Sequence, residues 1–108
     1  MQFSSSPFSL NQQNFSKIQI PDTAEVVFVS DAFVEQYVGG AELTSEALIQ
    51  SSPFEVFKLN SSSVTVELLE QGHNKFWIFG NFSGLDQKLM PTIIANMKYA
   101  IIEYDYKF

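Results

Sequence analysis

The sequence predicts an α/β fold built on a small, doubly wound parallel sheet of four strands. Continuous apolar runs at residues 26–29 and 76–79 are typical of strands buried on both faces of such a sheet. Stretches of helical character alternate with the strands, as right-handed crossovers between parallel strands require. Placing both apolar runs at the centre of the sheet favours strand order 2-1-3-4, and order 3-2-1-4 is the alternative.

The composition is that of one small globular domain. The chain has 108 residues, of which 45% are hydrophobic and 15% aromatic, enough for a single core. It has no cysteine, which excludes disulfides and thiolate chemistry, and its single histidine argues against a histidine-rich metal site. We predict neither a metal nor a cofactor.

The charge of the chain limits its partners. Twelve acidic and six basic residues give a net charge of −6, which argues against nucleic acids and anionic membrane surfaces. No apolar run is long enough to cross a bilayer, and residues 1–20 lack the basic start and apolar core of a signal peptide. The sequence therefore predicts a cytoplasmic protein without a transmembrane segment.

We predict that residues 1–20 form a flexible N-terminal arm and that residues 21–108 form the Rossmann-like domain. The arm is rich in Ser, Asn and Gln without a hydrophobic period. Three phenylalanines of this segment could pack on the domain: Phe3, Phe8 and Phe15.

The first half of the domain predicts a strand at residues 25–30, a helix at 41–50 and a strand at 54–59. Charged residues interrupt the second strand, which places it at an edge of the sheet. The first helix is expected to bury one apolar stripe, formed by Leu43, Ala47 and Leu48.

A short second helix follows at residues 64–71. The serines at 61–63 are expected to cap it and Gly72 to end it. The third strand is predicted at 75–81, with Trp77 in the core, and His73 is expected to be a solvated turn residue.

The third helix lies within residues 86–97, and Pro91 predicts that its regular part begins near Met90. The fourth strand is predicted at 99–104. No further strand follows to cover it, so we expect an exposed edge that joins a second copy into a homodimer.

The loop between the first strand and the first helix predicts an anion site. It reaches Gly39 and Gly40, which lack Cβ atoms and so permit positive φ and close approach of a ligand. The helix that follows offers unpaired N–H groups and a positive dipole end, so Gly39, Gly40 and Ala41 are candidate phosphate contacts. A tight turn without a ligand is the alternative interpretation.

Polar residues at the carboxyl ends of the strands are candidates for a crevice that binds sugar hydroxyls. They are Asp31, Asn81, Tyr104 and Asp105. The alternative is that these are ordinary strand-end polar groups, and that Asp31 accepts hydrogen bonds from loop N–H groups.

Residues 26–48, above all FVSDAFVEQYVGGAEL, resemble the opening of the family 4 glycosyltransferases. These are two-domain GT-B enzymes that transfer a sugar from a nucleotide donor with retention of configuration. The resemblance implies that the Gly39-Gly40-Ala41-Glu42 element lies against the donor diphosphate. It continues more weakly at residues 76–82 and 100–105, where the family often carries histidines and this chain carries Asn81 and Tyr104.

The resemblance implies that the chain is the acceptor-side N-terminal segment of such an enzyme, a truncated half-domain. The donor-binding domain would begin beyond Phe108, so the segment is expected to be inactive alone, and no catalytic residue is assigned. Its partners in the full-length parent would be a nucleotide-sugar and a sugar acceptor. The alternatives are a stand-alone interaction module that self-assembles through its exposed edge, and a small flavodoxin-like nucleotide-binding protein.

Overall fold

A computed structural model describes residues 18–104 and shows a four-stranded, all-parallel sheet in the order β2-β1-β3-β4. The strands are β1 (Val26–Ser30), β2 (Val56–Asn60), β3 (Phe76–Phe79) and β4 (Lys98–Ile101). The predicted order 2-1-3-4 is therefore confirmed. The two apolar runs form the central strands because their side chains are apolar on both faces.

Three α-helices connect the strands: α1 (Gly40–Ser51), α2 (Val66–Gln71) and α3 (Met90–Asn96). As predicted, α3 begins at Met90, with Pro91 in its first turn where the missing N–H costs no hydrogen bond. None of the helices in the described part of the chain has the length and apolar character needed to cross a bilayer.

The cap of α2 differs from the prediction. The side chain of Thr65 accepts a hydrogen bond from the backbone N–H of Leu68 at 3.2 Å, so Thr65 is the N-cap. The serines that were expected to cap this helix form a separate 3-10 turn, Ser61–Ser63. Gly72 is the C-cap, as predicted.

One face of the sheet, here the closed face, carries the main core. Its side chains come from alternate strand residues and include Val27, Val29, Trp77 and Phe79, all buried under α2 and α3. Trp77 is 0% exposed, and its indole N–H donates to the carbonyl oxygen of Gly72 at 2.9 Å. The predicted core position of Trp77 is confirmed, and burial of its polar N–H costs little because it is hydrogen-bonded.

The other face, here the open face, carries Val26 and Phe28 of β1 and is covered by α1. The predicted apolar stripe of α1 was wrong: Leu43 is 55% and Leu48 45% exposed, and Ala47 is exposed as well. The buried residues of α1 are instead Ala41 and Ser45, one turn apart. The helix packs through these small side chains, which leaves its leucines at the border with solvent.

The fourth strand is an edge strand, and all four of its residues are exposed. It ends at Ile101, three residues earlier than predicted, although the N–H of Ile102 still donates to the carbonyl oxygen of Phe79 at 2.8 Å. Tyr104 therefore lies beyond the strand. At the other end, Ile20 is buried, and its N–H donates to the Gln71 side chain at 3.1 Å. Phe3, Phe8, Phe15 and Asp105 lie outside the described residues.

Candidate functional site

The loops at the carboxyl ends of the strands diverge to opposite sides of the sheet. The loop after β1 leads to α1 on the open face, and the loop after β3 leads to α3 on the closed face. Adjacent parallel strands whose loops diverge in this way form a topological switch point, where ligands bind in open α/β sheets. Of the candidate site residues predicted from the sequence, the six that the structure describes all belong to this edge.

The diglycine turn opens α1 as predicted, but not through a positive φ. Gly39 is the N-cap, with φ −130° and ψ −176°, which is extended backbone open to any residue. Its lack of a Cβ matters for space instead, because a Cβ there would lie 2.7 Å from Glu42 Oε1 and 2.9 Å from the Tyr37 ring. A Cβ on Gly40 would meet no atom within 4 Å. The turn is therefore open at Gly40.

The first turn of α1 offers backbone donors at this open position. Within residues 18–104, no acceptor is hydrogen-bonded to the N–H groups of Gly40, Ala41 or Glu42, and the first intrahelical bond joins Leu43 N–H to the Gly39 carbonyl oxygen at 3.0 Å. Such donors and the positive end of the helix dipole attract anions. The Glu42 carboxylate lies beside Gly39, so an anionic ligand must displace it or bind against its charge.

Asp31, at the end of β1, ties three loops together. Its carboxylate accepts hydrogen bonds from the Ser61 hydroxyl, from the Ser83 N–H (3.1 Å) and hydroxyl (2.6 Å), and from the Gly84 N–H (2.9 Å). Its own N–H donates to the carbonyl oxygen of Asn81 at 2.7 Å. The loops after β1, β2 and β3 are thus joined through one side chain.

The hydrogen bonds also set the charge state of Asp31. Burial raises the pKa of this carboxyl, but the bonds from Ser61, Ser83 and Gly84 outweigh burial and hold the pKa below its usual range. A carboxylate with four donors has its acceptor capacity largely used. Of the two roles considered for Asp31 from the sequence, a sugar contact and an acceptor for loop N–H groups, the structure shows the hydrogen bonds of the second.

Asn81 and Tyr104 line one cleft of about 740 Å³ between the loops that follow β3 and β4. Its apolar side chains include Phe82, Met90 and Ile101. The cleft brings together two of the four predicted crevice residues. Asp31 and the diglycine turn are not part of its lining, and Asp105 lies outside the described residues.

The wall of this cleft depends on a contact that the sequence analysis did not identify. The hydroxyl groups of Tyr104 and Ser45 are hydrogen-bonded, which joins the segment after β4 to α1 across the open face. Gly80 permits this crossing because a Cβ there would lie 2.6 Å from the Tyr104 hydroxyl oxygen. The sequence feature that could have indicated this crossing is the glycine directly after an apolar strand. Close approach of another chain segment is one reason for glycine at such a position.

A small ion-pair network holds α1 against β2. Lys58 Nζ lies 2.7 Å from both Glu35 Oε2 and Glu46 Oε1, and 5.7 Å from the centre of the Phe33 ring. Burial lowers the pKa of Lys58, but hydrogen bonds to the two glutamates raise it above its usual range. With the side chains 23–63% exposed, such pairs contribute little to stability. This cation is used within the fold and is not part of the cleft.

His73 is exposed in the turn after α2, as predicted. Among residues 18–104 no group of three or more His, Asp or Glu side chains is arranged to hold a metal ion.

Comparisons of the chain with protein families, with curated proteins and with solved structures found no match. The geometry of this edge and residues 26–48, which resemble the glycosyltransferase opening, are therefore what bears on function.

Proposed function

We propose that this chain is the acceptor-side N-terminal segment of a retaining GT-B glycosyltransferase that uses a nucleotide-sugar donor. The observation that carries the proposal is the position of the diglycine turn. It follows a central parallel strand, opens a helix of twelve residues, and leaves Gly40 accessible beside N–H groups that have no acceptor within residues 18–104. A diphosphate is the ligand that this combination of close approach and oriented donors favours.

In this proposal the described residues bind and orient substrates and do not complete the chemistry. Two or three N–H groups beside the Glu42 carboxylate bind a diphosphate weakly, because oriented donors must also offset the entropy lost on association. A retaining transfer needs further groups that hold the donor sugar and stabilise the leaving diphosphate. We assign those groups to a donor-binding domain, so the segment alone is inactive. A cytoplasmic location is part of the same proposal.

The test is a titration of the ¹⁵N-labelled protein with uridine diphosphate glucose, followed by amide NMR. We expect millimolar ligand to shift the amide signals of Gly39, Gly40, Ala41 and Glu42, and uridine without phosphate to leave them in place. A protein that shows no shift at these positions would refute the phosphate site.

A variant of the open glycine sharpens this test. The methyl group introduced by Gly40→Ala meets no protein atom within 4 Å, so the fold should be unchanged, but it occupies the approach to the helix terminus. We expect the shifts caused by the nucleotide-sugar to weaken or disappear. The matched control is Ala47→Gly, on the exposed side of the same helix. Equal binding by the Gly40→Ala variant would show that the ligand does not approach this backbone.

The exposed edge supports a second candidate function, an interaction module that self-assembles. All residues of β4 are exposed, Ile94 and Ile101 are 58% and 49% exposed, and one side of β4 has no partner strand in the described part of the chain. Such an edge is a template for pairing with another strand. We propose a homodimer in which the β4 edges of two copies pair.

Sedimentation equilibrium tests the dimer. We expect twice the chain mass of 12.2 kDa, and the chain mass itself for Ala100→Lys, which places like charges on the edge. Thr92→Lys on α3 adds the same charge away from the edge and should remain dimeric. A monomeric unmodified protein at micromolar concentration would exclude this assembly.

A further inference from the structure

The cleft lies at a second divergence of loops in this sheet. The loop after β3 leads to α3 on the closed face, whereas the segment after β4 crosses to the open face, where the Tyr104 hydroxyl contacts Ser45 of α1. The space between β3 and β4 at their carboxyl ends is therefore a crevice of the kind that holds ligands in α/β sheets. It is separate from the diglycine turn, which follows β1.

Polar side chains in this cleft are available to a ligand. Asn81, Gln87 and Glu103 line it, and none of the three side chains forms a hydrogen bond or ion pair with another residue in the range 18–104. They supply two amides, which can accept hydrogen bonds from hydroxyl groups and donate to them, and one carboxylate, which accepts from hydroxyl or ammonium groups. Concave sites that combine apolar walls with a few such groups are typical of small-molecule binding.

The charge of the lining selects among ligands. Among the lining residues that the structure describes, Glu103 is the only ionisable acid or base apart from the Tyr104 phenol, and none is a lysine or arginine. From these described residues an added phosphate or carboxylate would meet a like charge and no cation, whereas a protonated amine would meet an opposite charge. The remaining surface, from Phe82, Met90 and Ile101, suits the apolar face of a ring.

We infer that the cleft between β3 and β4 binds a hydroxyl-rich acceptor that carries an amine, with Glu103 facing the ammonium group and Asn81 and Gln87 the hydroxyls. This inference rests on the proposed function, in which this chain is the acceptor-side segment of the enzyme. It adds the charge of that acceptor, which the proposed function leaves open. Tyr104 acts as a positioning residue, because it fixes the cleft wall through Ser45.

The experiment compares D-glucosamine, D-glucose and D-glucose 6-phosphate as probes at pH 6.5 and low ionic strength. Binding is measured from the amide shifts of Gly80, Asn81, Ser83 and Glu103 in the ¹⁵N-labelled protein. We expect glucosamine to bind about 2- to 5-fold more tightly than glucose, the range of an exposed ion pair. Glucose 6-phosphate should bind more weakly than glucose.

The matched pair of variants is Glu103→Gln and Glu67→Gln. Both residues are exposed and both changes remove one negative charge, but only Glu103 lines the cleft. Glu103→Gln should bind glucosamine and glucose equally, and Glu67→Gln should keep the difference. The inference is overturned if the phosphate binds as tightly as glucosamine, if no probe shifts the cleft amides, or if Glu103→Gln keeps the preference.

Failure of this inference and failure of the proposed function give different results. The proposed function fails if uridine diphosphate glucose shifts no amide at residues 39–42. The inference fails on the sugar probes at residues 80–103. Preference for glucosamine in a protein that does not bind the nucleotide-sugar would support an amine-bearing ligand for the cleft and would exclude its role as a glycosyltransferase acceptor.

Discussion

Two crevices at the same edge of this sheet use their polar residues differently. Between β1 and β3, the Asp31 carboxylate accepts from three residues of the neighbouring loops, and its N–H donates to Asn81. Between β3 and β4, the side chains of Asn81, Gln87 and Glu103 line a cleft of about 740 Å³ without such partners in the described chain. A polar residue at a strand end thus serves the fold where its hydrogen bonds are made internally, and is available for recognition where they are not.

The largest expected effect is the loss of stability on removing the Asp31 side chain. Asp31→Ala leaves the buried Ser61 hydroxyl and the N–H groups of Ser83 and Gly84 without their acceptor. We expect the free energy of unfolding to fall by about 2–3 kcal/mol, the range for hydrogen bonds to a charged group. Urea denaturation of the variant and the unmodified protein measures this change. A loss under about 0.5 kcal/mol, the size of an ordinary surface change, would show that the first crevice does not differ from the second.

Acid should remove part of the stability that the Asp31 carboxylate contributes to the folded state. The folded-state pKa of Asp31 lies below its ordinary value, so protonation favours the unfolded chain. The contribution of the carboxylate is therefore complete above the unfolded pKa of about 4 and is lost as pH falls through the folded pKa.

The reference for this measurement is Asp31→Asn, which cannot ionise. The stability difference between the two proteins, followed by urea denaturation from about pH 7 to about pH 3, should shrink on the acid side. A difference that is constant across this range would mean that the charge of Asp31 does not contribute.

A smaller effect is expected where the two crevices meet, at Gly80. In Gly80→Ala the new methyl group would lie 2.6 Å from the Tyr104 hydroxyl oxygen, which is too close, so it must displace that hydroxyl from Ser45. We expect a loss of about 1 kcal/mol, the net value of one hydrogen bond. The double variant with Ser45→Ala should be no less stable than the single variants, since both remove the same contact. Additive losses would contradict this origin.

The smallest change in stability is expected in the second crevice. Asn81→Ala removes a side chain that has no hydrogen-bond partner within the described residues, while the backbone carbonyl that accepts from Asp31 remains. The free energy of unfolding should change by less than about 0.5 kcal/mol. Binding of the sugar probes should weaken in the same protein. A clear destabilisation would show that this side chain serves the fold, as Asp31 does.

Much of the architecture could be predicted because it depends on near neighbours in the chain. Two apolar runs identified the central strands, and Pro91 and Gly72 marked the start and the end of helices. These signals are local, since strand burial, proline geometry and helix ends are all determined within a few residues. The Gly39-Gly40 turn at the start of α1 belongs to the same class.

The sequence by itself predicted the parallel sheet and the position of the diglycine turn, and it favoured the strand order that the structure shows over one alternative. Only the tertiary structure decided that α1 packs through Ala41 and Ser45. It also decided that the Asp31 side chain is hydrogen-bonded to neighbouring loops, whereas the Asn81 side chain lines the cleft. The physical reason is the distance along the chain: Tyr104 meets Ser45 across 59 positions and Asp31 meets Gly84 across 53. Periodicity and capping depend on adjacent residues, whereas such contacts depend on how the loops close over the sheet.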